Sequence, residues 1–76
     1  MKVVILGYSG LIGNSILEHL AKNNSLYIVC VGRNVKNKPY RNPRIKYFKW
    51  DFVTFKKSNI FFLKKANIII NCVGKN

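Results

Sequence analysis

The sequence predicts an α/β domain built on a parallel sheet, with the element order β-α-β-β-α-β. Three observations predict it: short aliphatic runs that suit strands buried on both faces, an amphipathic stretch at helical spacing after the first run, and breaks marked by glycine, proline or asparagine. A chain of 76 residues has room for one small domain and excludes a two-domain enzyme. Hydrophobic residues make up 49% of it, which is enough for a core and argues against disorder.

The N-terminal part of the chain alternates between strand and helix. Lys2–Leu6 is a β-branched and aliphatic run, which predicts a strand that ends at Gly7. The polar stretch Asn23–Ser25 ends the helix that follows, and Leu26–Val31 predicts the second strand. The helix itself is predicted from apolar residues spaced three and four apart, namely Leu11, Ile12, Ile16, Leu17 and Leu20.

The C-terminal part predicts two more strands and a second helix. Gly32–Pro43 is a polar loop whose prolines exclude regular structure, and Ile45–Trp50 is the third strand. Thr54–Lys65 is expected to form a short helix, and Asn67–Val73 the last strand. This alternation favours the strand order 3-2-1-4, which is the opening half of a doubly wound fold. The last strand then lies at an edge, although its composition is that of a central strand.

Charge and cysteine content narrow the class of protein. Fourteen Lys and Arg against two Asp and Glu give a net charge of +12, which indicates an anionic partner: nucleic acid, acidic lipid or a phosphorylated cofactor. No apolar run approaches the roughly 20 residues needed to span a bilayer. Cys30 and Cys72 lack metal-ligand spacing, and the predicted strand order holds them about 9.5 Å apart. We therefore expect reduced core thiols in a cytoplasmic protein.

A G-x-x-G-x-x-G turn joins the first strand to the first helix. At its glycines, Gly7 can take a backbone conformation closed to other residues, Gly10 lets a pyrophosphate approach, and Gly13 lets the helix pack close to the sheet. The N-terminus of the helix would face the phosphates with N–H groups and the positive end of its dipole. This context predicts dinucleotide binding by the turn residues Gly7, Tyr8, Ser9, Gly10, Leu11, Ile12 and Gly13.

The residues after the second strand indicate which dinucleotide binds. A site for NAD usually carries Asp or Glu roughly 20 residues past the glycines, where it accepts a hydrogen bond from the ribose 2′-hydroxyl. Arg33 and Asn34 occupy that place here, so no carboxylate is available. A guanidinium suits a 2′-phosphate by charge and by forked hydrogen bonding. The sequence therefore predicts NADP as the cofactor, with NAD as the alternative.

The segment Met1–Gly13 resembles the short-chain dehydrogenase/reductase family, specifically its extended and atypical branches. It is similar to the start of nucleotide-sugar epimerases, dehydratases and dTDP-4-dehydrorhamnose reductases. The segment Ala66–Gly74 resembles the fourth strand of the family and the corresponding segment of an atypical accessory subunit of respiratory complex I. The resemblance implies a Rossmann-type fold, with residues 1–76 forming a partial NAD(P)-binding domain, about the first third of a family member. It further implies contacts to adenine and to the riboses from Asp51, Phe52, Cys72, Val73 and Gly74.

The family's catalytic pair, Tyr-x-x-x-Lys, is missing from this chain, because none of its four tyrosines has a lysine four residues later. The other titratable groups suited to acid-base work are Glu18, His19 and Asp51, and they form no catalytic or metal-binding pattern. One hypothesis is therefore the truncated cofactor-binding portion of a nucleotide-sugar epimerase, dehydratase or reductase, silent by itself, whose sugar substrate binds through the missing C-terminal part.

Two other functions compete with this reading. The first is a non-catalytic module that uses a bound dinucleotide structurally or as a sensor. The second is a basic nucleic-acid binder, in which Lys and Arg side chains interleave with aromatic ones, although an A+T-rich coding bias gives the same composition. The edge position of the last strand also predicts self-association.

Overall fold

A computed structural model of the chain describes residues 1–33, 35–36, 38–49 and 65–73. The predicted helix Thr54–Lys65 lies outside these residues, except for Lys65, which is in a turn. The other predicted elements are present: the first strand has the predicted bounds, and the described ends of the others lie within two residues of the predicted ones. They are β1 Lys2–Leu6, α1 Leu11–Ala21, β2 Tyr27–Gly32, β3 Ile45–Lys49 and β4 Ile68–Asn71.

The four described strands form one parallel sheet in the order β3-β2-β1-β4, which confirms the predicted order. β1 lies at the centre, with Val4 opposite Val29 of β2 and Ile69 of β4. Aliphatic runs without polar alternation form strands of this kind because both of their faces are buried.

Each face of the sheet has its own core. On the face that carries α1, Val3 and Ile5 pack with Leu17 of the helix and with Cys30 of β2. The opposite face is a smaller cluster around Val4 of β1. Full burial of an aliphatic side chain contributes roughly 1.5 to 3 kcal/mol, so β1 and β2 hold most of the described apolar stabilisation.

β4 differs from the central strands in its exposure. Its start is fixed to β1, because the N–H of Lys2 donates to Asn67 Oδ1 at 2.8 Å and the N–H of Asn67 donates to the Lys2 carbonyl at 2.9 Å. Ile68 and Ile69 are nevertheless 43% and 48% exposed. Among the described strands β4 pairs only with β1, which confirms its predicted place at an edge of the sheet.

Both cysteines are free thiols, on the strands or strand ends that flank β1. Burial raises the pKa of Cys30 to about 12, so its thiol stays protonated and unreactive at neutral pH. Within the described ranges, no helix has the length and apolar character that a membrane crossing needs.

Candidate functional site

The glycine turn lies where the carboxyl ends of β1, β2 and β4 meet. The N–H of Gly7 donates to the Val31 carbonyl of β2 at 2.7 Å, and the N–H of Cys72 donates to the Leu6 carbonyl of β1 at 2.8 Å. A Cβ placed on Gly7 would lie 3.1 Å from the Cys72 carbonyl carbon and from the Val73 nitrogen. The turn therefore occupies the switch point between β1 and β4, where open α/β sheets bind their ligands.

Gly7 has the backbone conformation expected from the sequence. Its φ is +79°, in the left-handed region that disfavours side chains. A side chain here would be strained and would also press on the end of β4. Glycine is thus required at this position by the protein itself.

Gly10 and Gly13 serve different purposes. A Cβ on Gly10 would meet only the Gly7 carbonyl oxygen, at an ordinary 3.6 Å, so the fold leaves the space in front of Gly10 open. A Cβ on Gly13 would overlap the Gly7 carbonyl oxygen and come within 2.8 Å of the Tyr8 Cα. The sequence predicted close packing of Gly13 on the sheet, whereas the close contact is with the turn.

The N-terminus of α1 offers hydrogen-bond donors toward this open space. Gly10 is the N-cap with extended backbone, and no described side chain caps the helix. The N–H of Asn14 donates to the Gly10 carbonyl at 2.8 Å, and this is the first i to i−4 bond of the helix. The three N–H groups before it have no acceptor within the helix, and they add to the positive end of the dipole. The arrangement suits a phosphate or pyrophosphate.

The side chains of the turn divide between surface and core. Ser9 is exposed, and Leu11 and Ile12 are 91% and 69% exposed. Tyr8 is buried instead, with its ring centroid 5.3 Å from that of Tyr47, and burial raises the pKa of its hydroxyl. Tyr8 can therefore offer a ligand only its backbone, while Ser9, Leu11 and Ile12 face solvent.

A second feature, which we call the basic cavity, lies beside the turn at the ends of β2 and β3. Its volume is about 580 Å³, within the range of small-molecule sites. Arg33 follows β2 directly, and Lys49 ends β3 opposite Gly32. No carboxylate is among the described residues that line it, which are Arg33, Val35, Lys36, Lys38 and Lys49.

Only Arg33 of this set was a predicted cofactor residue. The three lysines belonged to the charge pattern that suggested nucleic-acid binding. A signal for Lys49 was present in the sequence, since carboxyl ends of parallel strands share one edge of the sheet, and Lys49 lies near the end of a predicted strand.

The loop that carries two of these lysines is fixed to β3 by a tyrosine. The Tyr47 hydroxyl donates to the Tyr40 carbonyl and accepts from the Tyr40 N–H, both at 3.0 Å. Burial raises the pKa of Tyr47, and its hydrogen bond to the Tyr40 backbone opposes the shift. Beside this pair lies a second cavity, of about 420 Å³, which Lys36, Lys38 and Arg41 also line.

The remaining predicted residues divide by what the structure describes. Cys72 and Val73 lie against the glycine turn, and Asn71 shapes that strand end by accepting from the Val73 N–H at 3.0 Å. The structure does not describe four of the predicted residues, which stay predictions: Asn34, Asp51, Phe52 and Gly74. Among the described residues, no three His, Cys, Asp or Glu side chains group to hold a metal.

Comparison with known proteins found similarity at the level of structure. No family model and no curated protein sequence matches the chain. The oxidoreductase ylbE from Lactococcus lactis has a TM-score of 0.82 and 27% identity, over 99% of this chain and 33% of its own. UDP-glucuronic acid 4-epimerase from Bacillus cereus, solved in complex with NAD, has a TM-score of 0.73 and 19% identity, over 100% of this chain and 29% of its own.

These similarities confirm the predicted Rossmann-type fold and the predicted resemblance to extended short-chain dehydrogenases/reductases. The 27% identity to the oxidoreductase supports the resemblance in sequence, while the epimerase supports the fold alone. The chain spans about a third of the length of either protein.

Proposed function

We propose that this chain binds a nicotinamide dinucleotide at the glycine turn, as the cofactor-binding portion of an extended or atypical short-chain dehydrogenase/reductase. The observation that carries the proposal is the open space in front of Gly10, faced by the uncapped N-terminus of α1. A pyrophosphate placed there would accept from backbone N–H groups without meeting a side chain of the turn. The NAD complex of the similar epimerase supports this choice of ligand.

NADP is the proposed cofactor form. Arg33 lines the basic cavity at the end of β2, where an NAD site would carry a carboxylate. Apart from Val35, the described residues that line the cavity are cationic. None of them has a carboxylate that could accept a hydrogen bond from a ribose hydroxyl. A bound dinucleotide would thus rest on two groups of contacts, backbone donors at the pyrophosphate and cations at the 2′-phosphate.

The proposed activity of the whole protein is that of a nucleotide-sugar epimerase, dehydratase or reductase. An oxidoreductase and a UDP-sugar epimerase both share the fold over this chain's full length, which supports the class. A chain extended by the downstream reading frame tests it, because the proposal requires a Tyr-x-x-x-Lys pair there and turnover of a nucleotide sugar.

Cofactor binding is tested on the 76 residues themselves with a bulky substitution. We expect Gly10→Val to lower the affinity for NADP at least about tenfold, because the side chain fills the space needed by the pyrophosphate while the backbone stays unstrained. Isothermal titration calorimetry measures the affinity, and circular dichroism checks the fold.

Ser15→Val is the matched control, since it adds the same side chain to an exposed position one turn further along α1. It should leave NADP affinity unchanged. Equal affinities of the parent and Gly10→Val for NADP would contradict the proposal.

A further inference from the structure

The basic cavity holds more positive charge than its place in the fold requires. A single arginine at the end of the second strand is enough to favour a 2′-phosphate by forked hydrogen bonds. Here three lysines line the cavity with Arg33, and no carboxylate is among the described residues of the lining. The site therefore combines one group of fixed geometry with three that act mainly through charge.

The lysines reach the cavity from two different elements. Lys49 belongs to β3 and is thus held by the sheet, on the same strand face as Ile45 and Tyr47. Lys36 and Lys38 belong to the loop that the two hydrogen bonds of Tyr47 fix to β3. The Lys38 side chain is exposed and ends in an ammonium group on a flexible stem, which can follow an anion over several positions.

We propose that the basic cavity recognises a phosphomonoester on the adenosine ribose by summed charge, with little regard to which ribose hydroxyl carries it. The inference rests on the proposed function, because it assigns a selectivity to the same dinucleotide site. The cavity selects strongly for the presence of the phosphate and weakly for its position, so adenosine 2′-phosphates and 3′-phosphates bind alike. Lys49 is a specificity-determining residue in addition to Arg33.

Three small ligands separate presence from position. Adenosine 2′,5′-bisphosphate, adenosine 3′,5′-bisphosphate and 5′-AMP are titrated by calorimetry at low salt. We expect both bisphosphates to bind at least about fivefold more tightly than AMP, because each adds a charge-assisted contact. The affinities of the two isomers should differ by less than about fivefold, because lysines act as mobile point charges.

Two lysine variants on β3 test where the charge acts. Lys49→Ala should weaken both bisphosphates several-fold and leave AMP unchanged. Lys46→Ala removes the same charge from the same strand, but its side chain alternates to the opposite face and is not among the described residues lining the cavity. It should have no effect on any of the three ligands.

The proposal is overturned if the bisphosphates bind no better than AMP, if one isomer is preferred by more than about fivefold, or if the two lysine variants behave alike. Titration of NADP and NAD separates it from the proposed function. Absence of dinucleotide binding, with the bisphosphates behaving as expected, overturns the function alone. Equal binding of NADP and NAD overturns the cavity proposal and leaves dinucleotide binding in place.

Discussion

The glycine turn and the basic cavity both lie at the carboxyl ends of the strands, but they offer a ligand different groups. The turn offers a ligand its backbone: Gly10 leaves open space and the first N–H groups of α1 point toward it. The cavity offers exposed cationic side chains, among them Arg33 and Lys49. The turn is therefore sensitive to added volume, and the cavity to charge and to salt.

The largest expected effect is unfolding of the domain by a substitution in the glycine turn. We expect Gly13→Ala to lower the free energy of unfolding by about 3 kcal/mol, because its methyl group would overlap the Gly7 carbonyl oxygen. A domain of this size retains only roughly 3 to 5 kcal/mol, so the variant should be largely unfolded by thermal melting.

Gly10→Ala is the control for that experiment, since its methyl group meets only an atom at 3.6 Å. It should cost less than about 1 kcal/mol. Equal losses in the free energy of unfolding for the two variants would contradict the assignment of Gly13 to packing and of Gly10 to the approach of a ligand.

The next effect separates the cavity from the turn. Arg33→Ala should lower NADP affinity about ten- to a hundredfold and leave NAD affinity unchanged, because only NADP carries the 2′-phosphate. The preference of the parent for NADP should also shrink as salt rises from about 10 mM to about 500 mM, since exposed charges are screened. Titration of both cofactors across salt measures this, and a preference that salt does not alter would contradict an electrostatic cavity.

A smaller effect is expected from the tyrosine that fixes the cavity loop. Tyr47→Phe removes both hydrogen bonds to the Tyr40 backbone and should lower the free energy of unfolding by about 1 kcal/mol in urea denaturation. NADP affinity should fall modestly with NAD unaffected, because Lys36 and Lys38 lose their support. Tyr27→Phe, on an exposed tyrosine, is the control and should change neither quantity. If Tyr47→Phe lowered NAD affinity as much as NADP affinity, the loop would not act through the 2′-phosphate and this prediction would be wrong.

The smallest effect on stability is expected at the edge strand β4. A variant that stays monomeric there also removes association as a complication of the titrations at high salt. High salt should promote association of the parent through β4, because it screens the net charge of +12. Ile69→Lys should keep the chain monomeric by sedimentation and cost less than about 1 kcal/mol, since Ile69 is 48% exposed. Phe48→Lys puts the same charge on β3 at the other edge. Equal suppression by both variants would show that β4 is not the contact.

The sequence predicted the parts of this structure that depend on local pattern. Aliphatic runs predicted the strands and their order, and the glycine spacing predicted the positive φ of Gly7. The inward position of Tyr8 could not be predicted, because its ring partner Tyr47 lies in another strand and the two meet only in the folded sheet. The loop lysines of the basic cavity were missed for the same reason, since the loop meets the two strand ends only in the folded chain, whereas Lys49 had a signal at the end of a predicted strand.

The carbonyl of Val31, which accepts from the Gly7 N–H, sets a fixed span between the two subsites. Arg33 follows Val31 by two residues, so the pairing of β1 with β2 fixes the distance from the turn to the cavity. Under the proposed function, a ligand that carries both a pyrophosphate and a ribose phosphate at this span would bind bivalently, and its second contact would form at high effective concentration. A ligand that carries only one of these groups would gain no such advantage.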